Sequence, residues 1–450
     1  MVHAFKFKGF HLVLDVESGA LHSVDEMTYD IVRAIETSKD PHTLPYSASD
    51  IDEVLFELSE LKNAGAFDSK GVSVNSGEFG KGVIKSLCLH IAHDCNLRCK
   101  YCFADTGEFH GSRSLMSEEV GRKALEFLME HSGNRRHLEV DFFGGEPLMN
   151  FPVVKALTAY GRELEKKYNK EIAFTLTTNM VAMDDEMMEF INREIYNVVI
   201  SLDGRREIHD ALRPTVNGKG SYDLIVHKAK KLIEGRKGGE YYVRGTFTAN
   251  NLDFTNDVKA LRDLGFDQIS MEPVVLPDTS PYAILEEHVA AVLSEYDNLA
   301  DYLLESRKNG CWFNFFHFMI DFEGGPCLKK RISGCGAGVE YAAITPEGDI
   351  YPCHQFVGEK QFIMGNVLTG EFDTSLQKEF LNCNVTTKKL CNSCWAKYFC
   401  SGGCAANAFK YNGSIYEPYI RSCSMLKRRT EIACGIFAAE KSLEESNDIT

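Results

Sequence analysis

An α/β protein built around a parallel sheet is the fold class this sequence predicts, and three observations carry it. Six strand-like runs, at residues 84–92, 137–143, 172–178, 198–203, 241–248 and 268–273, alternate with helix-like stretches between Val83 and about Gly310. The stretch from Ser117 to His131 begins at a capping Ser, places Val120, Ala124 and Leu128 on one stripe, and stops by Gly133. A length of 450 residues exceeds one ordinary core, so two or three domains are expected. Strand–helix units in series imply a parallel sheet, either doubly wound or curled into a partial barrel, with chemistry at the C-terminal strand ends.

Residues 1–80 read as a separate module. Alternation predicts strands at Lys6 to Leu14 and Ala20 to Val24, followed by a helix from about Asp25 to Glu36. A second amphipathic helix follows, capped by Ser49, with Ile51, Val54, Leu55, Leu58 and Leu61 on one face. Ser69 to Gly82, rich in Gly and Ser, has the composition of a linker. Beyond Gly310 the chain changes to short loops rich in Gly and Cys, with one legible hairpin, Tyr341 to Thr345 and Asp349 to Cys353 around Pro346-Glu347-Gly348. The expected division is 1–80, 83–310, a bridging region 311–330, and 331–450 ending in a helix. The last of these is poor in aliphatic residues and is expected to need metal to fold.

Charge and cysteine usage narrow the function. With 49 Lys+Arg against 65 Asp+Glu the formal charge is −16, which disfavours nucleic acid and anionic membrane as partners. The N-terminus alternates like a strand and lacks a signal peptide's apolar block, and no apolar run reaches the ~18 residues of a membrane span, so a soluble cytoplasmic protein is expected. Fifteen cysteines in a reducing compartment point to metal or redox chemistry. They crowd into two zones: Cys88 to Cys102, then eleven from Cys311 to Cys434.

The first zone directly follows the first strand of the series, in H-D-C-N-L-R-C-K-Y-C. Thiolates at Cys95, Cys99 and Cys102 can wrap one corner of a cubane and leave its fourth iron open. Structural zinc is the alternative, but it usually takes four ligands in two pairs, which a lone triplet closing a strand fits poorly.

This triplet, C-x3-C-x-aromatic-C with Tyr101 in the aromatic slot, resembles that of the radical S-adenosylmethionine (SAM) superfamily. The second strand ends in F-F-G-G-E-P, Phe142 to Pro147, which is similar to the family's motif for the methionine amino group of SAM, implying roles for Gly144, Gly145 and Glu146. By the same resemblance Asn179 and Ser201 are candidates for the ribose or carboxylate of SAM, and Arg213 or Arg244 for balancing the carboxylate. A loop hydrogen bond or a surface ion pair is the alternative for each. Asp203 reads as ordinary Asp-Gly turn chemistry. The implied reaction is reductive cleavage of SAM to a 5′-deoxyadenosyl radical.

In the second zone Cys335, Gly348 and Cys353 precede C-x2-C-x5-C-x3-C at Cys391, Cys394, Cys400 and Cys404, and then Cys423. This order resembles the SPASM domain of radical SAM peptide-modifying enzymes, which implies two auxiliary 4Fe-4S clusters and three in all. The resemblance assigns Cys391, Cys394, Cys400 and Cys423 to one, and Cys335, Cys353 and Cys404 to the other. Cys327 or the substrate's own thiolate completes the latter. Cys88, Cys311, Cys383 and Cys434 match no motif and are expected to pack as small apolar residues. In sulfatase-maturating relatives an Asp serving as base tends to follow the cysteine corresponding to Cys353; here His354 does.

The amino-terminal module resembles the winged-helix-like peptide recognition element of ribosomal-peptide maturases, which binds a leader as an added strand; a dimerisation or packing role is the alternative. Taken together the chain resembles the thioether-forming maturases of six-cysteines-in-forty-five precursors. That implies a partial (β/α)6 TIM-like barrel, a Cys-rich precursor peptide bound through its leader, and a low-potential electron donor. The general base is left unassigned.

Overall fold

The structure, a computed structural model, describes residues 1–71, 82–322 and 328–448. Three antiparallel strands, β1 (Val2–Phe7), β2 (Phe10–Asp15) and β3 (Leu21–Val24), open the chain. The continuous alternation from Lys6 to Leu14 conceals a hairpin. Lys8 and Gly9 both take positive φ, 44° and 89°, as a tight turn between twisted strands requires. Helices α1 (Glu26–Glu36) and α2 (Ala48–Asn63) follow. Ser47 rather than Ser49 caps α2, accepting from the Asp50 N–H at 3.2 Å, because the chain is already helical at Ala48. The buried stripe is Ile51, Val54 and Leu58; Leu61, expected on it, is exposed beyond its end.

Period-two alternation gives this small sheet two buried faces. Ala4 and Val13 pack against Ile31, Val32, Ile51 and Val54, whereas Phe5, Phe7, Leu12 and Leu14 join the core of the main body.

The main sheet is built from β4 (Ser86–His93), β5 (Ser114–Leu115), α3 (Glu118–His131), β6 (His137–Gly144), α4 (Phe151–Tyr168), β7 (Glu171–Thr178), α5 (Asp185–Glu194) and β8 (Asn197–Ser201). It continues with α6 (Arg206–Leu212), α7 (Tyr222–Glu234), β9 (Glu240–Phe247), α8 (Thr255–Asp263), β10 (Gln268–Pro273), α9 (Glu286–Lys308) and β11 (Asn314–Phe315). Strands β4, β6, β7, β8, β9, β10 and β11 pair in parallel in that order, without the reversal a doubly wound sheet needs. One face is apolar and covered by helices, with Val140, Phe142, Phe174 and Leu176 fully buried. The other carries Asp141, Thr177, Ser201, Arg244, Thr246 and Glu272 toward a cavity.

The second cysteine region continues the same sheet. After α10 (Leu328–Ser333), β12 (Tyr341–Ile344) pairs in parallel with β4, placing Ala343 opposite Cys88. Strands β13 (Asp349–Tyr351), β14 (Gly365–Asn366) and β15 (Glu371–Phe372) extend it antiparallel. Region 311–330, expected as a bridge, supplies β11 at the opposite edge. Helices α11 (Thr374–Asn382), α12 (Lys389–Asn392), α13 (Lys397–Cys400), α14 (Ala405–Asn412) and α15 (Ile420–Asp448) complete the chain. A Cβ on Gly435 of α15 would lie 2.2 Å from the Phe7 ring, which shows how closely the amino-terminal sheet seats on this helix. Cys327 and most of the Ser69–Gly82 linker lie outside the described residues. Among the described residues no helix is long and apolar enough to cross a membrane.

Candidate active site

The loop after β4 carries Cys95, Cys99 and Cys102 and is sewn down on two sides. Gly145 N–H donates to Ala92 O (2.8 Å) and Glu146 N–H to Asp94 O (2.9 Å); Arg98 and Lys100 N–H donate to Pro214 O and Leu212 O, both at 2.8 Å. A Cβ on Gly144 would stand 2.3 Å from Ala92 O, and one on Gly145 2.2 Å from Asp94 O. Gly144 is also at φ +122°, so backbone contact itself demands glycine at this turn.

Glu146 is fully buried, and its carboxylate accepts from Leu148 N–H (3.0 Å), Thr178 Oγ1 (2.8 Å) and Asn179 N–H (2.7 Å). Burial pushes it up to about 7 against those three donors. It thereby fixes Asn179, whose Nδ2 donates to Asn96 Oδ1 (2.8 Å) and lies 3.6 Å from Cys95 Sγ.

Asp203, read from sequence as turn chemistry, is instead a buried hub. It accepts from Tyr101 Oη (2.7 Å), Arg213 Nε (3.0 Å) and the Thr246 N–H (3.0 Å). The Arg213 guanidinium stacks over Tyr101 at 5.3 Å. The available signal was position: an acid at the C-terminal end of a strand of this sheet is where chemistry is expected. Arg244 is more than half exposed and 3.8 Å from Glu272.

The thiols of the second zone fall into two sets by mutual influence. Burial raises Cys391, Cys400 and Cys423 first, and then each is raised by others of the set Cys391, Cys394, Cys400 and Cys423. Cys353 is raised by burial and then by Cys404 and Cys335, and Cys404 likewise feels Cys335. In the first zone Cys95 is pushed up to about 12 by burial, Glu146, Cys99 and Cys102. Clustered buried thiols that oppose one another's ionisation are relieved when cations neutralise the thiolates. Among the described residues no three His, Cys, Asp or Glu converge on a single ion. Cys311, expected to pack inside, is exposed; Cys88 and Cys434 are buried and Cys383 half-buried.

A cavity of about 540 Å³ joins the two zones. Cys95, Cys99 and Cys102 line one side, and Cys400, Cys404 and Cys423 the other. All the residues predicted to touch SAM, namely Tyr101, Gly144, Gly145, Glu146, Asn179, Ser201, Arg213 and Arg244, line this one space. Cys335, Cys353, Cys391 and Cys394 are not among the residues that line it; Cys353 and Cys391 are buried and Cys335 is exposed. Asp141, Glu272, His354 and Lys410, which sequence reasoning did not place here, line it too.

Comparison with known proteins agrees with this geometry. The family profile described as a 4Fe-4S single cluster domain matches residues 79–227, and SPASM, an iron-sulfur cluster-binding domain, matches residues 335–395. The chain is a radical SAM protein with a SPASM domain. It is 24% identical over 349 residues to the cysteine-type anaerobic sulfatase-maturating enzyme of Clostridium novyi, covering 72% of this chain and 89% of that one. It is 22% identical over 458 residues to the radical SAM cyclopropyl synthase TigE of Paramaledivibacter caminithermalis, covering 94% and 91%. The solved structure of native anSMEcpe with bound AdoMet and Cp18Cys peptide aligns with TM-score 0.65 at 22% identity, over 80% of this chain and 99% of that one. SAM and 4Fe-4S clusters are the cofactors of this radical SAM protein, and the grouped thiols beside a glycine turn and two arginines suit them.

Proposed function

We propose that this protein is a cytoplasmic radical SAM oxidoreductase that installs thioether crosslinks, sactionine-like or ranthionine-like, in a ribosomally made Cys-rich precursor peptide. The observation that carries the reading is the single cavity with thiols of both zones on its walls. Joining sulfur to carbon needs a radical source and an electron acceptor facing one substrate, and this arrangement offers a place for each. When bound, SAM supplies a carbon radical that abstracts hydrogen from the acceptor residue.

The chain's own residues divide the work. Cys95, Cys99 and Cys102 hold the SAM-binding cluster. Cys391, Cys394, Cys400 and Cys423 hold a second, and Cys335, Cys353 and Cys404 a third, completed by Cys327 or by the substrate thiolate. The carbonyls of Gly144 and Gly145, with Asn179, Ser201, Arg213 and Arg244, orient SAM. Tyr101 and Asp203 aim Arg213, and Glu146 contributes by bracing Asn179 and the glycine turn.

The sequentially wound sheet supports the reading of 83–310 as a partial (β/α)6 TIM-like barrel, with 311–330 bridging to a SPASM domain at 331–450. Residues 1–80 we read as a winged-helix-like recognition module. Among the described residues β3 pairs only with β2, which leaves an edge for a leader peptide. A low-potential donor supplies the electron.

A second reading, formation of formylglycine or another peptide oxidation, is favoured by the sulfatase-maturating relative. Against it stands His354, pushed down to about 3 by burial, then by Arg244 and Lys410, and so a feeble base beside Cys353.

Anaerobic incubation with reductant, SAM and a Cys-rich precursor peptide separates the readings by mass. Loss of a hydrogen pair per crosslink, with thiols no longer alkylatable, supports the thioether. An aldehyde product supports the second reading, and absence of deoxyadenosine would leave a non-catalytic iron-sulfur peptide carrier.

A further inference from the structure

Acidic side chains lining the cavity are Asp105, Asp141, Glu146 and Glu272, and their surroundings separate them. Asp105 is exposed on the cysteine loop. Glu146 is closed off by its three donors. Glu272 is half-buried; desolvation raises it, but His317 (3.4 Å), Arg429 (3.7 Å) and Arg244 (3.8 Å) surround it and bring it below the usual carboxylate range. A carboxylate beside two arginines holds its charge and is slow to take a proton.

Asp141 differs from all three. It lies in the middle of β6, in register with Cys88 on β4 and Thr175 on β7. Thr175 Oγ1 donates to its Oδ1 at 2.8 Å, and among the described residues no other hydrogen-bond donor reaches the carboxylate. Phe143, the next residue on the same face, has its ring 5.0 Å from that of His354, beside Cys353. Asp141 thus stands in the wall between the SAM-binding loop and the hairpin that carries Cys353.

We infer that Asp141 is a catalytic base of this cavity, taking the proton from the substrate's cysteine thiol, with Thr175 as its positioning residue. The inference rests on the thioether reading, which requires a thiol to lose its proton before sulfur bonds to carbon. In the step the S–H bond breaks, its electron pair stays on sulfur, and an O–H bond forms on the carboxylate oxygen that Thr175 leaves open. No electron changes hands, so no further oxidant is needed.

The electrostatics suit the task. Burial pushes Asp141 up to about 6, with Thr175 and Arg244 pulling down and Glu139 adding to the rise. The other titratable groups facing it are Cys88 from β4 and Tyr341 from β12. Against a thiol of about 8.5, a base near 6 is far better matched than an ordinary aspartate near 3.9.

The test uses reconstituted holoenzyme and a synthetic peptide bearing Cys and Thr, following deoxyadenosine and crosslinked peptide together from about pH 5 to about pH 8. Wild-type crosslinking per SAM cleaved should rise along a limb centred near pH 6. Asp141→Asn should lower crosslinking ~100-fold or more while deoxyadenosine continues to form, and Asp141→Glu should restore part of the loss. Thr175→Val removes a bond that favours the charged form, so its limb should move to higher pH.

Asp141→Asn crosslinking at the wild-type level with an unshifted limb overturns the base while leaving the thioether reading intact. Wild-type enzyme that cleaves SAM but leaves the peptide unaltered overturns that reading, and the base falls with it. Should Asp141→Asn fail to fold, the Thr175→Val limb decides, and an unmoved limb sinks the assignment.

Discussion

Cys95, Cys99 and Cys102 hang from β4, whose parallel ladder with β6 runs from Ser86↔Glu139 to Ala92↔Gly144. Cys391, Cys394 and Cys400 instead sit on or beside α12 and α13, helices of 4 residues each. Around the latter Ile332, Val385 and Cys391 form a small satellite core, whereas the strand that carries the former contributes Leu87, Leu89 and Ile91 to the main core of the molecule. A short helix with little apolar burial cannot hold itself together in water. On the ligand sets proposed above, the sheet would order the first without iron, while the second would depend on it.

Removing iron should produce the largest difference between the two. Anaerobic chelation is expected to abolish amide-exchange protection across residues 389–423 while β4, β6 and β7 keep theirs. Equal protection in both regions would break the comparison.

Next in size is the contact that holds the second region to the amino-terminal module. Lys397, in α13, pairs with Glu17 at 2.7 Å, and the side chains are only 10% and 9% exposed. Lys397→Ala leaves the Glu17 carboxylate with the Tyr398 hydroxyl (2.9 Å) but without its counter-charge, and should cost about 1.5–3 kcal/mol in denaturant unfolding of the holoprotein. A loss within experimental error would show that iron alone fixes this region.

A smaller effect sharpens the other side. Asp203→Asn removes the counter-charge of the buried Arg213, and should reduce SAM affinity about 10- to 100-fold by calorimetry together with a lowered unfolding midpoint.

The smallest is a pH effect. His3 donates to Glu36 (3.0 Å) and Glu431 (3.1 Å) and stacks on Trp395 at 3.8 Å. Burial lowers its pKa, but the two carboxylates outweigh this and raise it. The stabilisation is therefore complete below the ordinary value of 6.5 and is lost as pH rises through the higher folded value. A change of about 1 kcal/mol is expected, read as a Trp395 fluorescence transition that His3→Phe removes.

What the sequence disclosed follows the same division. The strands of the central sheet were legible because each alternates over five residues or more between clear breaks. The GG turn and the cysteine triplet are local patterns that need no partner to be recognised. Strands β11 and β12 were harder to place. Two residues at Asn314–Phe315 gain their identity only by pairing with β10, and Tyr341–Ile344, read as half of a hairpin, gave no hint of its ladder with β4. Asp141 escaped for a related reason. A polar residue on an alternating strand looks the same whether its face meets solvent or a cavity, and only the closed-over structure distinguishes them.

The ladder between β12 and β4 also bears on electron flow. Tunnelling rates fall steeply with the gap between redox centres, and here the hairpin leading to Cys353 is joined to the strand that leads to Cys95 by a parallel ladder in register over four positions, Tyr341 to Ile344. Were iron held at both places, as proposed above, its spacing would be set by the backbone ladder rather than by mobile side chains.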